Sequence, residues 1–196
     1  MAAPAKINFK CYQGSTFSEV LRWESSKKIY KAITGITQAA PCVVTSVGHG
    51  VPNGWRVKVT NAGGMKEINS SDTYKIATKL DVDTLEFNDI NSIGYTAYTS
   101  GGVVEYNEPV SLTGFTARMH LREKVDSTTT LKELTTENGG IVINTTDYTI
   151  TIFISATDTA LLTFSSAVYS LEMVSSLGVV TPLANGTITL VKEVTR

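Results

Sequence analysis

The chain is poor in the residues on which catalysis and metal binding most often rest. It has two histidines, His49 and His120, and no H-x-x-x-H spacing, so no zinc site is expected. It has two cysteines, Cys11 and Cys42, which is far from the dense framework of a small disulfide scaffold, and both read as free, buried thiols. Charged residues make up 18% of the chain and the net charge is -1, which gives no electrostatic footprint for nucleic acid or an anionic membrane; neither is expected as a partner. No apolar run approaches the roughly 18 residues that a membrane span requires. The opening Met1-Ala2-Ala3-Pro4-Ala5-Lys6 lacks a basic region followed by an apolar core, so a secretory signal is not expected. The glycine-rich phrase Asn61-Ala62-Gly63-Gly64 lacks the Lys-Ser/Thr and helix start of a phosphate loop, and reads as a turn or bulge. Nothing calls for a cofactor.

What the chain does have is strand chemistry. Hydrophobic residues are 42% of the total, enough for a core, and threonine is roughly one residue in seven, which suits half-buried pleated surfaces. Short runs bounded by turn residues predict strands at Ile7 to Cys11, Phe17 to Trp23, Lys28 to Ala32, Cys42 to Ser46, Trp55 to Thr60, Tyr74 to Thr78, Thr84 to Phe87 and Gly102 to Tyr106. Phe115 to Arg122 alternates, with Phe115, Ala117, Met119 and Leu121 on one face and Thr116, Arg118, His120 and Arg122 on the other. Tyr148 to Ile154 alternates too and is expected to pair with Ile141 to Asn144. Asn53-Gly54, Asn138-Gly139 and Asn185-Gly186 are hairpin signals, because both residues tolerate the positive φ of tight primed turns. One short helix is predicted near residues 155–163, capped by Ser155 with Asp158 three residues on. Ala167 to Ser175, Val179 to Ala184 and Thr187 to Val194 complete the pattern, the last expected at a sheet edge with its tip exposed. The fold class is all-β.

The phrase Ile33-Thr34-Gly35-Ile36-Thr37 opens a glycine-punctuated block, and a similar phrase, Leu112-Thr113-Gly114-Phe115-Thr116, follows its end. This predicts a β-sandwich formed by residues 1–32 and 103–196, interrupted by a small β-barrel at 33–102. An insertion at an exposed hairpin disturbs few buried contacts.

Few residues are candidates for a site. His120 lies on the polar face of its strand and reads as a solvated side chain. His49, in Gly48-His49-Gly50, reads as a turn histidine. Asp81 and Asp83 are spaced to share a strand face, the one carboxylate pair that a calcium site or a glycan-degrading enzyme would use, yet the oxygen-rich spacing of an EF-hand is missing. Trp55 follows the Asn53-Gly54 turn, and Tyr95 and Tyr98 cluster in a loop; exposed aromatics there stack on sugar rings or anchor an interface, whereas buried ones plug the end of a barrel. Trp55, Tyr95, Tyr98 and His49 are the candidate interface or glycan contacts. No catalytic or metal residue is assigned.

Two groups of phrases carry a family resemblance. Ile33-Thr34-Gly35-Ile36-Thr37-Gln38-Ala39-Ala40-Pro41, Gly48-His49-Gly50, Gly63-Gly64-Met65, Leu85-Glu86-Phe87 and Tyr95 through Gly102 resemble a small β-barrel repeat of bacteriophage tail proteins. That repeat is similar to the first catalytic-cysteine half-domain of ubiquitin-activating enzymes, without any matched adenylation or thioester machinery. Tyr12 through Phe17 with Leu21-Arg22-Trp23, Leu112 through Met119, Leu134 through Ile141 and the closing Gly186 through Arg196 resemble immunoglobulin-like sandwich domains of phage tails, in the style of the N-terminal domain of upper-baseplate proteins. The resemblance implies a non-enzymatic virion protein of a tail, baseplate or neck, made in the host cytoplasm. It would be a homo-oligomer in a ring that links the tail to fibres or other virion proteins. The alternative is a carbohydrate-binding adhesin module that contacts the host surface.

Overall fold

The computed structural model describes residues 3–70 and 72–194. In chain order the strands are β1 (Ala5–Lys6), β2 (Phe9–Tyr12), β3 (Phe17–Leu21), β4 (Glu24–Ala32), β5 (Gly35–Ile36), β6 (Cys42–Thr45), β7 (Trp55–Gly63), β8 (Lys75–Lys79) and β9 (Thr84–Phe87). They continue with β10 (Ser100–Pro109), β11 (Thr116–Arg122), β12 (Lys132–Thr135), β13 (Ile141–Asn144), β14 (Thr149–Ile154), β15 (Ser166–Val174) and β16 (Val180–Val191). A single turn of 3₁₀ helix covers Lys66–Ile68, and α1 covers Ala156–Ala160. The fold is all-β, and no helix among the described residues is long and apolar enough to cross a membrane.

Two compact units divide the chain, one from Met1–Trp23 with Ser111–Arg196 and one from Glu24–Val110. The boundaries expected at 32/33 and 102/103 lie inside this second unit. The reason is β4 and β10, which pair antiparallel from Val103↔Ala32 to Pro109↔Glu24 and so carry the division outward to their far ends.

The first unit is a β-sandwich. One sheet has the order β1-β16-β15-β11-β12, with β2 also on β16, and the other is β13-β14-β3. Alternation explains the core between them. Ala117, Met119 and Leu121 of β11 are buried, as are Ile150, Ile152 and Ile154 of β14, Leu171 and Met173 of β15, and Ile188 and Leu190 of β16. Each of the Leu, Ile and Met side chains contributes about 1.5–3 kcal/mol by leaving water. Phe9 fills the end of this core, edge to face on Phe17 at 5.8 Å and stacked on Tyr169 at 5.3 Å. The expected pairing of Ile141–Asn144 with β14 is present, but β14 starts one residue late, because Tyr148 has φ +54 and turns the backbone off the extended path.

Three expectations in this unit are overturned. The last strand is not at an edge: β16 pairs with β15 on one side and, in parallel, with β1 and β2 on the other, although Lys192 to Val194 beyond it are exposed. Asn185-Gly186 is not a hairpin but lies inside β16. There the N-terminal segment passes so closely that a Cβ on Gly186 would stand 1.9 Å from the Ile7 carbonyl oxygen, so only glycine fits. Asn138-Gly139 does form a turn, with Gly139 at φ +74, but it joins β12 in one sheet to β13 in the other. The Asn138 side-chain oxygen accepts from the N–H groups of Thr135 and Gly140, each at 2.9 Å. Met1, Ala2, Thr195 and Arg196 lie outside the described residues. The expected helix is capped as predicted, the Ser155 hydroxyl accepting from the Asp158 N–H at 3.1 Å, but it ends at Ala160, short of residue 163.

The second unit is a seven-stranded curled sheet in the order β4-β10-β7-β8-β9-β6-β5. Its two end strands are consecutive in the chain. Between them the Ile33 N–H donates to the Gly102 carbonyl at 3.0 Å and the Thr34 N–H to the Thr45 carbonyl at 2.9 Å, so adjacent residues reach the two flanks of the sheet. Inside lie Cys42, Val44, Val57, Met65, Leu85, Phe87 and Val104. β7 runs on to Gly63, three residues further than expected. The Asn69 amide acts as a surrogate strand there, accepting from the Ala62 N–H at 2.8 Å and donating to its carbonyl at 3.0 Å.

Candidate functional site

The four candidate contacts, Trp55, Tyr95, Tyr98 and His49, all fall in the second unit, and the structure takes two of them out of reach of any ligand. Trp55 is fully buried, with its indole N–H donating to the Asn107 carbonyl at 3.0 Å. As the first residue of β7 it points inward with Val57 and Val59, which makes it a packing residue and not an exposed contact. His49 is fully buried as well. Its Nδ1 accepts from the Val51 N–H at 2.9 Å, which leaves the proton on Nε2 to be donated to the Asp81 carbonyl at 3.1 Å. Burial, helped by the nearby Lys79 charge, outweighs the Asp81 contacts and holds this imidazole below its usual pKa. His49 is a neutral brace between two loops, not a contact residue.

Tyr95 and Tyr98 remain partly exposed. The Tyr98 hydroxyl lies 3.0 Å from the Ile33 carbonyl and 2.9 Å from that of Gly101, so its single proton holds the end of β4 to the start of β10. The loop that carries both tyrosines is fastened by the buried Ser92, whose hydroxyl accepts from the Ala39 N–H at 3.0 Å and faces the Thr37 carbonyl at 2.7 Å. No platform of adjacent aromatic faces results.

Asp81 and Asp83 do not form a carboxylate pair on a strand. They sit in the turn between β8 and β9 as backbone caps. Asp81 accepts from the N–H groups of Asp83 at 2.8 Å and Thr84 at 2.7 Å, which lowers its pKa, and Asp83 accepts from the Gly48 N–H at 2.8 Å. No cluster of three or more metal-ligating side chains exists among the described residues. His120, as expected, stands at the surface, with Nε2 2.9 Å from Glu133. Cys11 and Cys42 are free and buried, one in each unit, and burial raises the pKa of both thiols.

Two surfaces were not nominated from sequence. The first is a charged lattice on the outer side of β4, β10 and β7. Glu105, only 8% exposed, accepts from the Tyr74 hydroxyl at 2.9 Å and lies 3.2 Å from Lys28 and 3.4 Å from Lys58. Burial alone would raise its pKa, but those donors and charges hold it below the usual carboxylate value. Tyr74 also hydrogen-bonds Lys28, whose ammonium lies 4.6 Å from the ring centroid. Beside them Arg56 grips Glu24 with Nε at 2.7 Å and Nη2 at 2.6 Å. Lys58 stands directly across from Glu105, a relation that depends on strand register and is invisible in one sequence. Every charge here has an opposite partner, so the lattice fixes three strands to one another.

The second surface is the outer face of the three-stranded sheet. Val20 is 50% exposed, Val142 54% and Phe153 39%, and Thr151 lies between the two valines in register. Both β13 and β3 have a strand partner on one side only among the described residues. Natural sheets guard such edges with lysine, proline or a bulge, but Ile141–Asn144 has no charge and no proline. Chemically this edge offers unpaired backbone groups beside an apolar face, the arrangement that accepts a strand from another chain. Compared with known proteins, the chain matches no family model and no curated protein, so no residue acquires a role by likeness.

Proposed function

We propose that this protein is a non-enzymatic structural component of a phage virion, a repeated subunit of the tail, baseplate or neck that links the tail to fibres or other peripheral proteins. The observation that carries the reading is the unguarded edge at β13 with the exposed Val20, Val142 and Phe153 beside it. A heterologous contact there, repeated around an axis, closes a ring. The sandwich supports an immunoglobulin-like assignment for the first unit, and the hydrogen bonds of Ile33 and Thr34 to opposite flanks support a small barrel for the second. The adhesin alternative has less behind it, since Trp55 is buried and only Tyr95 and Tyr98 remain to face a sugar.

Two measurements test the proposal together. Mass spectrometry of purified particles of the parent virus should find this chain. Sedimentation of the isolated protein should show self-association that Val142→Lys abolishes while its circular dichroism and unfolding stay those of the parent. Absence of the chain from particles, or a parent protein that remains monomeric at its highest soluble concentration, would count against it.

A further inference from the structure

A concave site of about 570 Å³ lies on the solvent face of the six-stranded sheet, on the opposite side of that sheet from the sandwich core. Register places its parts. Arg118 is opposite Glu172, Arg122 is opposite Val168, and Lys6 of β1 is opposite Asn185 of β16. Lys6 and Arg122 therefore stand three strand spacings apart and two residues out of line, roughly 16 Å backbone to backbone. Val168 lies between them, and Val125, 80% exposed, forms part of one wall.

The charges in this site are unevenly matched. Arg118 is paired with Glu172 at 2.8 Å, and His120 with Glu133 at 2.9 Å. Lys6 and Arg122 have no carboxylate partner among the described residues. Arg122 is nonetheless held in place, because its Nη1 donates to the carbonyls of Ser127 at 2.7 Å and Thr128 at 2.8 Å. A guanidinium already fixed by neutral groups keeps its full charge and loses little freedom on binding. The site thus offers two uncompensated cations at its sides, an aliphatic floor and no exposed aromatic ring, since Tyr169 is 4% exposed and its hydroxyl donates to the Ile7 carbonyl.

We infer that this groove docks a short acidic peptide segment of a partner protein, its carboxylates meeting Lys6 and Arg122 and an aliphatic side chain resting on Val168. In an extended segment, side chains two residues apart share a face about 6.8 Å apart, a separation that the flexible Lys6 side chain meets by extending toward the fixed Arg122. The inference is independent of the β13 edge and of any ring. Glu172 competes for the same kind of contact, since it neutralises the third cation from within.

Titration calorimetry of the full chain with acetyl-Glu-Leu-Glu-amide tests it, with acetyl-Gln-Leu-Gln-amide and glutarate as comparisons. Expected are binding of the acidic tripeptide alone, weakening with added salt, a loss of about tenfold in Lys6→Gln, and a gain of severalfold in Glu172→Gln as Arg118 is released. The gain is a readout that a damaged fold does not produce. Equal binding of the Gln peptide, no binding of either peptide, or unchanged affinity in both variants overturns the inference. Glutarate binding as tightly as the tripeptide also overturns it, because the groove would then serve a free dicarboxylate.

Discussion

Trp55 and His49 set the terms at the scale of single residues, since each has a polar atom committed inside the second unit. Removing the indole leaves a large cavity, so Trp55→Ala is expected to cost about 3–5 kcal/mol in chemical denaturation. Trp55→Phe keeps most of the volume but strands the Asn107 carbonyl, for about 1–3 kcal/mol. His49 predicts a pH dependence. Its folded pKa lies below the unfolded value, so under about pH 6.5 the unfolded chain binds a proton that the folded chain refuses. Stability therefore falls as pH drops from about 6.5 to the folded pKa and levels off below it. Unfolding midpoints measured across that range should show the slope, and His49→Asn should flatten it. A slope unchanged in the variant would assign the effect to other groups.

Strands and their pairings make up the next scale, and here the sequence was unevenly legible. β11 and β14 were readable because a period of two with one apolar face leaves a single orientation, and Ser155 was readable as a cap because its bond is local. The parallel docking of β1 and β2 on β16 was not, since it joins residues about 180 positions apart and leaves no local signature. Asn185-Gly186 misled for a related reason: its glycine answers to the distant Ile7 carbonyl and not to a turn. Trp55 beside an Asn-Gly turn had two physically sound fates, and only packing chose between them. Gly186→Ala is accordingly expected to displace the N-terminal strands while the rest of the sandwich stays folded. Amide exchange should rise at residues 5–12 and at their β16 partners, with little change in β11 or β14; uniform protection would contradict the close approach.

Independence of the two units is the prediction that belongs to the whole molecule. The inner unit begins and ends on two paired strands, with Glu24 opposite Pro109, so its excision opens no wide gap in the first unit. A chain in which a short Gly-Ser linker replaces residues 24–110 should fold cooperatively, with β-type circular dichroism and a single unfolding transition. Failure to fold would show that the sandwich depends on its insert.

The parallel pairing of the first and last strands has a mechanical consequence. Ala5 lies beside Ala184 and Tyr12 beside Val191, so the two chain ends leave the sheet at opposite ends of one strand pair. Tension applied between them pulls β1 and β2 lengthwise along β16 and loads those hydrogen bonds together in shear, instead of peeling them open one at a time. Everything between Tyr12 and Val180, the whole inner unit included, stays outside the line of force until that seam slips. A sandwich built this way resists tension applied along that strand pair.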